Sequence, residues 1–483
     1  MFNSIFSRRF WPALAVMAGL EIWSFLGSLW PAANTAGFVF VGLVTLTLSF
    51  KNPRYGLAVA AGELLIGSFG RLFAYDAGGV NLSVRMLIWL IIMAVWLAAT
   101  ARRLIKGEPL AEILRLPYGP YLYTLVGLVI LGLVIGYGRG HSLANIFFDF
   151  NNWLYLTLCL PLADAFRTRK DRDWLKPVIA AGLVWLAVKT LLLLYIFSHN
   201  IFGLTFYHWV RDTGVGEVTT MASGFVRIFL QSQIFTLAGV LLALFYLTRV
   251  NGRERLWLWM LTSGGLAVIL ISMSRSLWLG LTVGIMVAAG NAFKKSWRNG
   301  LRWLGWGALA AIMAAAFLTA IVKFPWPAPG ASGQSWDILN ERSQLNEAAA
   351  ASRWNLLPKL WQAVAREPLW GQGFGATVIY ESNDPRARER ATNGVYETYA
   401  FEWGWLDLWL KIGLAGVLTY LALIFILIRN AIKTGRAETA AALLGLIAVN
   451  FFTPYLNHPL GLGLLMWVII STDIKYPAET SSA

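Results

Sequence analysis

The chain is poor in the side chains that most often do chemistry. Among 483 residues there are one cysteine and four histidines, and charged residues make up only 13%. The single cysteine, Cys159, sits in an apolar run, which excludes an internal disulfide and a cysteine-based metal cluster and says nothing more about compartment. His141, His199, His208 and His458 show no zinc-ligand spacing and there is no HExxH, so no metal is expected. The turn GQGFG at Gly371–Gly375 lacks the frame of a nucleotide loop, and a Walker lysine is missing, so neither ATP-driven chemistry nor any other cofactor is expected. Internal repeats, low-complexity tracts and alternating barrel-type segments are also absent. No loop interleaves basic and aromatic residues as a nucleic-acid binder does, so no nucleic acid partner is expected.

What the chain has in quantity is apolar sequence. Hydrophobic residues make up 57% and mean hydropathy is +0.59. The charged fraction is about half that of an ordinary globular protein, and a soluble domain could not hide so much apolar surface. Runs of about 17–25 apolar residues read as transmembrane helices, the one spanning solution left for the backbone. Fourteen spans are expected: 10–29, 34–50, 55–72, 84–101, 121–137, 146–165, 177–197, 228–248, 257–271, 276–291, 303–321, 402–428, 437–452 and 459–472. The count drops to twelve or thirteen if the short connections near 257–276 or around Pro454 and Pro459 fail to separate helices. The expected fold is therefore all-α, a polytopic membrane bundle of 12–14 helices. The first span follows Arg8 and Arg9 and lacks a small-residue cleavage site, so it reads as an uncleaved anchor.

Net charge is +15, and its sign sorts by connection. Arg8, Arg9, Lys51, Arg54, Arg102, Arg103, Lys294, Lys295, Arg429 and Lys433, with their neighbours, all fall on alternate connections. The positive-inside rule then puts both termini in the cytoplasm, and the basic excess holds those loops against anionic membrane lipids. Two longer segments remain on the other, outer side: 198–227 and 322–401. The second joins a Pro/Gly linker, PWPAPGASGQS, to a helical stretch from Ile338 to Glu367. Pro358 is expected there as a break or a first-turn residue, and Pro368 as a stop. A tight glycine turn and a polar loop, NDPRARERATNG, follow. The chain divides into helices over 1–321, a helical periplasmic lid over 322–401, and final spans with a short tail over 402–483.

Arginines on the outer side run against the charge bias and so need a reason. They are Arg71, Arg85, Arg139, Arg227, Arg275 and Arg353. Clustered guanidinium forks suit a pyrophosphate; singly, each could snorkel to headgroups or pair with an outer carboxylate. Ionisable residues within spans are Glu21, Glu63, Asp149, Lys189, Glu402, Asp407 and Lys411. Asp407 and Lys411, four apart and acid first, read as a mutual pair. Glu402 lies at the outer mouth of its helix, where a carboxylate partly withdrawn from water can act as a general base on a hydroxyl, or form a salt bridge to an outer arginine. Glu397 competes for that role. Trp354, Trp361, Trp370, Trp403 and Trp405 offer faces for sugars as well as interfacial anchors.

An outer arginine before a span (Arg227), an SRS turn (Arg275), the lid helix SRWNLLPKLWQAVAREPLWGQGFG and a charged residue opening WLDLWLKIGLAG together resemble the O-antigen ligase and O-antigen polymerase superfamily, over about 221–428. These are polytopic bacterial glycosyltransferases of the GT-C type. The resemblance implies an undecaprenyl-diphosphate-linked glycan donor, used on the periplasmic side of the inner membrane without nucleotide or metal. The implied acceptor is lipid A core, a second glycan or a protein. It implies that Arg227, Arg275 and also Arg353 hold the diphosphate; Arg71, Arg85, Arg139, Glu397, Trp354 and Trp403, singled out above by their own chemistry, are expected around the substrates. The ligases open the helix after the lid with a histidine proposed to activate the acceptor, and here that position is Glu402.

A carboxylate can make the same proton transfer, and fixed arginines can stabilise a leaving diphosphate without metal. One positioned base without a close second carboxylate favours inversion. A lid excludes water that would waste the donor. The rival reading is a secondary transporter or channel using the same intramembrane charges, although the matched broken helices of such folds are not seen.

Overall fold

The computed structural model describes residues 8–76, 78, 81–109, 114, 116, 118–201, 203–221, 224–329, 348–382 and 395–471. The polar loop 383–394 and the start of the expected lid helix lie outside these residues.

The first helices are α1 (Phe10–Leu29), α2 (Pro31–Lys51) and α3 (Pro53–Ile66), separated by single residues, Trp30 and Asn52. Both links are followed by proline at the first helical position, where its missing N–H costs nothing, and the Asn52 side chain accepts from Arg54 N–H. Then come β1 (Ala74–Asp76), β2 (Asn81–Ser83), α4 (Val84–Ile105), α5 (Gly119–Gly138) and α6 (Leu143–Leu154). A 3₁₀ turn leads into α7 (Cys159–Ala165), followed by α8 (Arg169–Ser198), α9 (Gly203–Asp212), β3 (Glu217–Thr220) and β4 (Val226–Phe229). The later helices are α10 (Gln233–Tyr246), α11 (Gly252–Ile271), α12 (Arg275–Lys295) and α13 (Trp297–Val322). The lid contributes α14 (Ala348–Arg366), β5 (Val378–Glu381) and β6 (Val395–Thr398); α15 (Gly404–Lys433), α16 (Ala437–Val449) and α17 (Pro459–Ser471) complete the bundle.

Among the described residues, nine helices are long and apolar enough to cross a membrane, and three shorter apolar ones join them. The chain is an all-α, polytopic membrane protein. It differs from the sequence expectation in detail. The expected span 146–165 is broken into α6, the 3₁₀ turn and α7, because an apolar run records hydropathy and not backbone continuity. The expected span 228–248 begins as β4, and α10 starts only at Gln233. Three small antiparallel hairpins, β1–β2, β3–β4 and β5–β6, sit in connections between helices. Pro358 lies inside α14 without ending it.

Helices approach closely where side chains vanish. At the α12–α16 crossing, a Cβ on Gly280 would lie 2.8 Å from Gly445 O. The end opposite the lid is tied by surface ion pairs, among them Arg54–Asp171 and Arg103–Asp164, both 2.8 Å.

The lid is wedged into the bundle by the GQGFG turn. Gln372 N donates to Leu410 O at 2.6 Å and Phe374 N to Gly132 O at 3.0 Å, with the Phe374 side chain fully buried. Gly371, Gly373 and Gly375 all have φ near +80°, a region closed to most L side chains. The turn fits because α15 is not one regular helix: Gly413 has φ 68° and ψ 176°. Leu414 N and Ala415 N turn instead to Pro368 O and Leu369 O, at 2.9 and 3.3 Å. A second small core, with Leu356, Leu360, Val364, Val378, Tyr380 and Phe401, lies beneath α14 and its hairpin.

Candidate active site

Two neighbouring places at the lid end of the bundle hold the chemistry. The first is the junction where the lid rejoins α15. The Glu402 carboxylate pairs with the Arg353 guanidinium of α14. Trp403 Nε1 donates to Arg353 O at 3.0 Å, and the Trp354 ring meets Trp403 edge-on at 5.3 Å. The pair is therefore held in place while staying accessible, the Glu402 side chain being 53% exposed.

From this junction a chain of contacts runs through the link between α16 and α17 to the two arginines expected at the diphosphate. Trp403 packs on Phe452 at 5.3 Å. The neighbouring Thr453 hydroxyl bonds Ser276 Oγ at 2.8 Å, and Ser276 bonds Ser274 at 2.9 Å. Arg275 stands between these serines as the first residue of α12. The turn before it places Met273 at φ 46°. Arg227 donates from Nε to Ser272 O at 2.8 Å and lies over the Phe229 ring at 5.1 Å, with Glu217 at 3.5 Å from Nη1. Contacts through largely buried side chains thus link the segments that carry Glu402, Arg275 and Arg227 into one strip of the structure.

The second place is a cavity of about 510 Å³ beside that strip, lined by Arg71, Asn81, Arg85, Trp89, Phe148, Asp149, Asn152, Arg211, Gln231, Tyr399, Ala400 and His458 among others. Its floor is neutralised. Arg85 gives Nε to Glu63 at 2.8 Å and Nη2 to Ser68 O at 2.9 Å, both partners of the ion pair being almost fully buried. Asp149 accepts from Lys411 Nζ at 2.7 Å and from Gly375 N–H at 2.9 Å. Lys411 also meets Asp407 at 2.7 Å, and Asn457 bonds Asp407. The pair expected four residues apart is present, and it is the middle of a larger buried network. Burial, with the Asp149 carboxylate nearby, raises the Tyr399 hydroxyl above the usual phenol range. Burial and the Arg85 guanidinium push the His458 imidazole down to about 3.

The remaining expected residues scatter. Arg139 pairs with Glu367 at 3.0 Å, fixing the end of the lid helix to α5. Glu397 is exposed on β6, opposite Ile379. Arg71 and Arg85 line the cavity, whereas Arg353, Trp354 and Trp403 belong to the junction. Among the histidines, His199 bridges Tyr195 O and Phe324 O at 2.8 and 3.0 Å, and His141 Nδ1 meets Phe374 O at 2.9 Å, both structural contacts. Sequence reasoning missed Arg211, Asn81, Asn152 and Tyr399. Arg211 was open to the test that found the others, since it too is a cation in an outer segment, 198–227.

The intramembrane charges that a transporter would use are closed on partners: Glu21 on Lys189, Glu63 on Arg85, and Asp149 and Asp407 on Lys411.

Residues 258–421 match the family model Wzy_C, described as O-antigen ligase. The match runs from α11 past the break at Gly413. It includes Arg275, Arg353, Glu397 and Glu402 and leaves Arg227 and the early arginines outside. It covers about a third of the chain. No curated protein matches the chain.

Proposed function

We propose that the chain, whose residues 258–421 match the O-antigen ligase model, is a membrane glycosyltransferase of the O-antigen ligase and polymerase kind, and that it transfers a glycan from an undecaprenyl-diphosphate carrier to an acceptor hydroxyl on the periplasmic face, at the strip joining Arg227, Arg275 and Glu402. The observation that carries this reading is the chain of contacts from Glu402 through Trp403, Phe452, Thr453 and Ser276 to Arg275. It links the segment that carries the acid to the segments that carry the two arginines.

In the proposed step the acceptor oxygen attacks the anomeric carbon and the bond from that carbon to the diphosphate oxygen breaks. Glu402 takes the hydroxyl proton. One carboxylate oxygen is engaged by Arg353 Nε, and a carboxylate has lone pairs for a second partner. The charge gathering on the leaving diphosphate is met by Arg227 and Arg275. Arg227 is already fixed by Ser272 O and the Phe229 ring, so little reorganisation is needed as charge develops. Arg275 opens α12, whose first N–H groups and dipole add to the positive field. A single base activating an acceptor that attacks opposite the leaving group gives inversion. The lid supplies Arg353, Trp354 and the backbone carbonyl that holds Trp403.

The test is transfer by purified protein from a lipid-diphosphate-linked glycan to an acceptor, with no nucleotide and with chelator present. Glu402→Gln and Arg275→Ala are expected each to lower turnover by about 10²-fold or more. Transfer that survives both substitutions defeats this site.

A further inference from the structure

The cavity beside the strip has cations to spare. Arg85 and Asp149 on its floor are each spent on a buried partner. At its rim, Arg71 is exposed and forms no ion pair with a described residue. Among the described residues the Arg211 guanidinium is engaged only by Tyr207, donating Nη1 to its hydroxyl at 2.8 Å while lying over the same ring. The adjacent carboxylate, Asp212, faces His208 at 3.1 Å. Arg71 and Arg211 thus both line a hollow whose other walls include Asn81, Asn152, Phe148 and Tyr399, and Arg211 also lines a smaller hollow alongside Tyr207. Guanidinium forks match phosphate oxygens, while carboxamides and ring faces match sugar hydroxyls and C–H faces.

The cavity also abuts the proposed reaction centre. Ala400 is part of its wall, and Glu402 stands two residues further along the chain. Gln231 is part of another wall, and its carbonyl accepts from Tyr455 OH at 2.9 Å, just beyond the β4 strand that carries Arg227.

We propose that this cavity seats the acceptor, and that the acceptor is a phosphorylated saccharide whose phosphate bridges Arg71 and Arg211. Naming the ligand the acceptor rests on the transfer reaction proposed above; the binding of a sugar phosphate here does not. The seat brings a sugar hydroxyl toward Glu402 while keeping its phosphate away from Arg227 and Arg275, so two anionic substrates need not compete for one pair of cations.

The experiment measures binding of glucose 1-phosphate, glucose and inorganic phosphate to the detergent-purified full chain. It compares wild type, Arg71→Ala/Arg211→Ala, Arg71→Lys/Arg211→Lys and Glu402→Gln. Glucose 1-phosphate is expected to bind more tightly than either fragment. The double alanine variant should weaken it by about tenfold or more, and the double lysine variant by less, since charge is kept and the fork lost. Glu402→Gln should leave binding unchanged even if it abolishes transfer, which separates this proposal from the catalytic one. No binding to wild type, or equal binding to the double alanine variant, overturns the site. Farnesyl diphosphate is the competitor. If it displaces glucose 1-phosphate competitively, the phosphate seat belongs to the carrier and the acceptor assignment falls; if it does not, the assignment stands. In the transfer assay the alanine pair should raise the acceptor KM by a similar factor and leave the donor KM alone. A shift in the donor KM instead overturns the assignment.

Discussion

Two of the arginine–carboxylate pairs at the lid end of this bundle differ in what surrounds them. Arg85 and Glu63 are closed off from solvent, with side-chain exposures of 6% and 5%, and the arginine is further held by Ser68 O. Arg353 and Glu402 join the lid to α15 with 33% and 53% of their side chains exposed. A buried pair is costly to open, because breaking it strands a charge where water cannot reach. An exposed pair is worth little to the fold and can exchange partners. The first therefore suits the architecture, and the second is the one we propose for the chemistry, although the same residue types form both.

Substitutions on the acidic side should separate the two most sharply. Glu402→Gln is expected to remove about 10²- to 10⁴-fold of turnover and to leave the thermal unfolding of the purified protein where it was. Glu63→Ala should do the reverse in kind. It strands the Arg85 guanidinium at the cavity floor and should cost about 3–5 kcal/mol of stability, read as loss of the monodisperse folded species in detergent. A Glu63 variant that folds normally, or a Glu402 variant that unfolds early, would exchange the roles given to the two pairs.

Arg353→Ala tests the exposed pair from its basic side, and the expected effect is smaller. Stability should change by no more than about 1 kcal/mol, because the pair is screened by solvent. Turnover should still fall, by about tenfold, since Glu402 loses the group that orients it and the Trp403 contact to the Arg353 backbone is loosened. Arg353→Lys should restore part of that loss. A faster enzyme after Arg353→Ala would mean that the pair restrains the base, and the lid would then act as a brake.

The sequence made the spans legible because hydropathy is a local, additive property. It made Asp407–Lys411 legible because four residues is one helical turn. It could not show that Asp149, far away in sequence, is the third member of that group, since nothing local to α6 announces a partner on α15. Nor could it show the break at Gly413. The residues WLDLWLKIGLAG read as one helix, and the break exists only because the lid's Pro368–Gly375 stretch is inserted there to take up the backbone hydrogen bonds. The hairpins escaped for a related reason: strands of three or four residues are too short to show a period. The candidate site was legible at Arg227, Arg275 and Glu402, each conspicuous as a charge at the end of an apolar run. The cavity wall was not, because Asn81, Asn152 and Tyr399 are ordinary residues in ordinary loops until the fold turns them toward one hollow.

The mildest effect at neutral pH is expected at His458, on the side of the cavity governed by the buried pair. Its Nδ1 accepts from Leu460 N–H at 3.4 Å, which leaves the proton of the neutral ring on Nε2. Burial and the positive Arg85 together hold it neutral down to about 3. The unfolded chain, with an ordinary imidazole near 6.5, takes up a proton first as pH falls. The contribution of His458 to stability is therefore complete above about pH 6.5 and is lost progressively as pH drops toward 3. Replacing it by Asn should flatten the acid limb of the stability curve between those values and leave stability at pH 7–8 almost unchanged. The pH profile of transfer should show no inflection near 6.5 that depends on this residue. An inflection there that disappears in His458→Asn would instead make the imidazole a working acid or base, and would move the centre of the chemistry from the lid junction into the cavity.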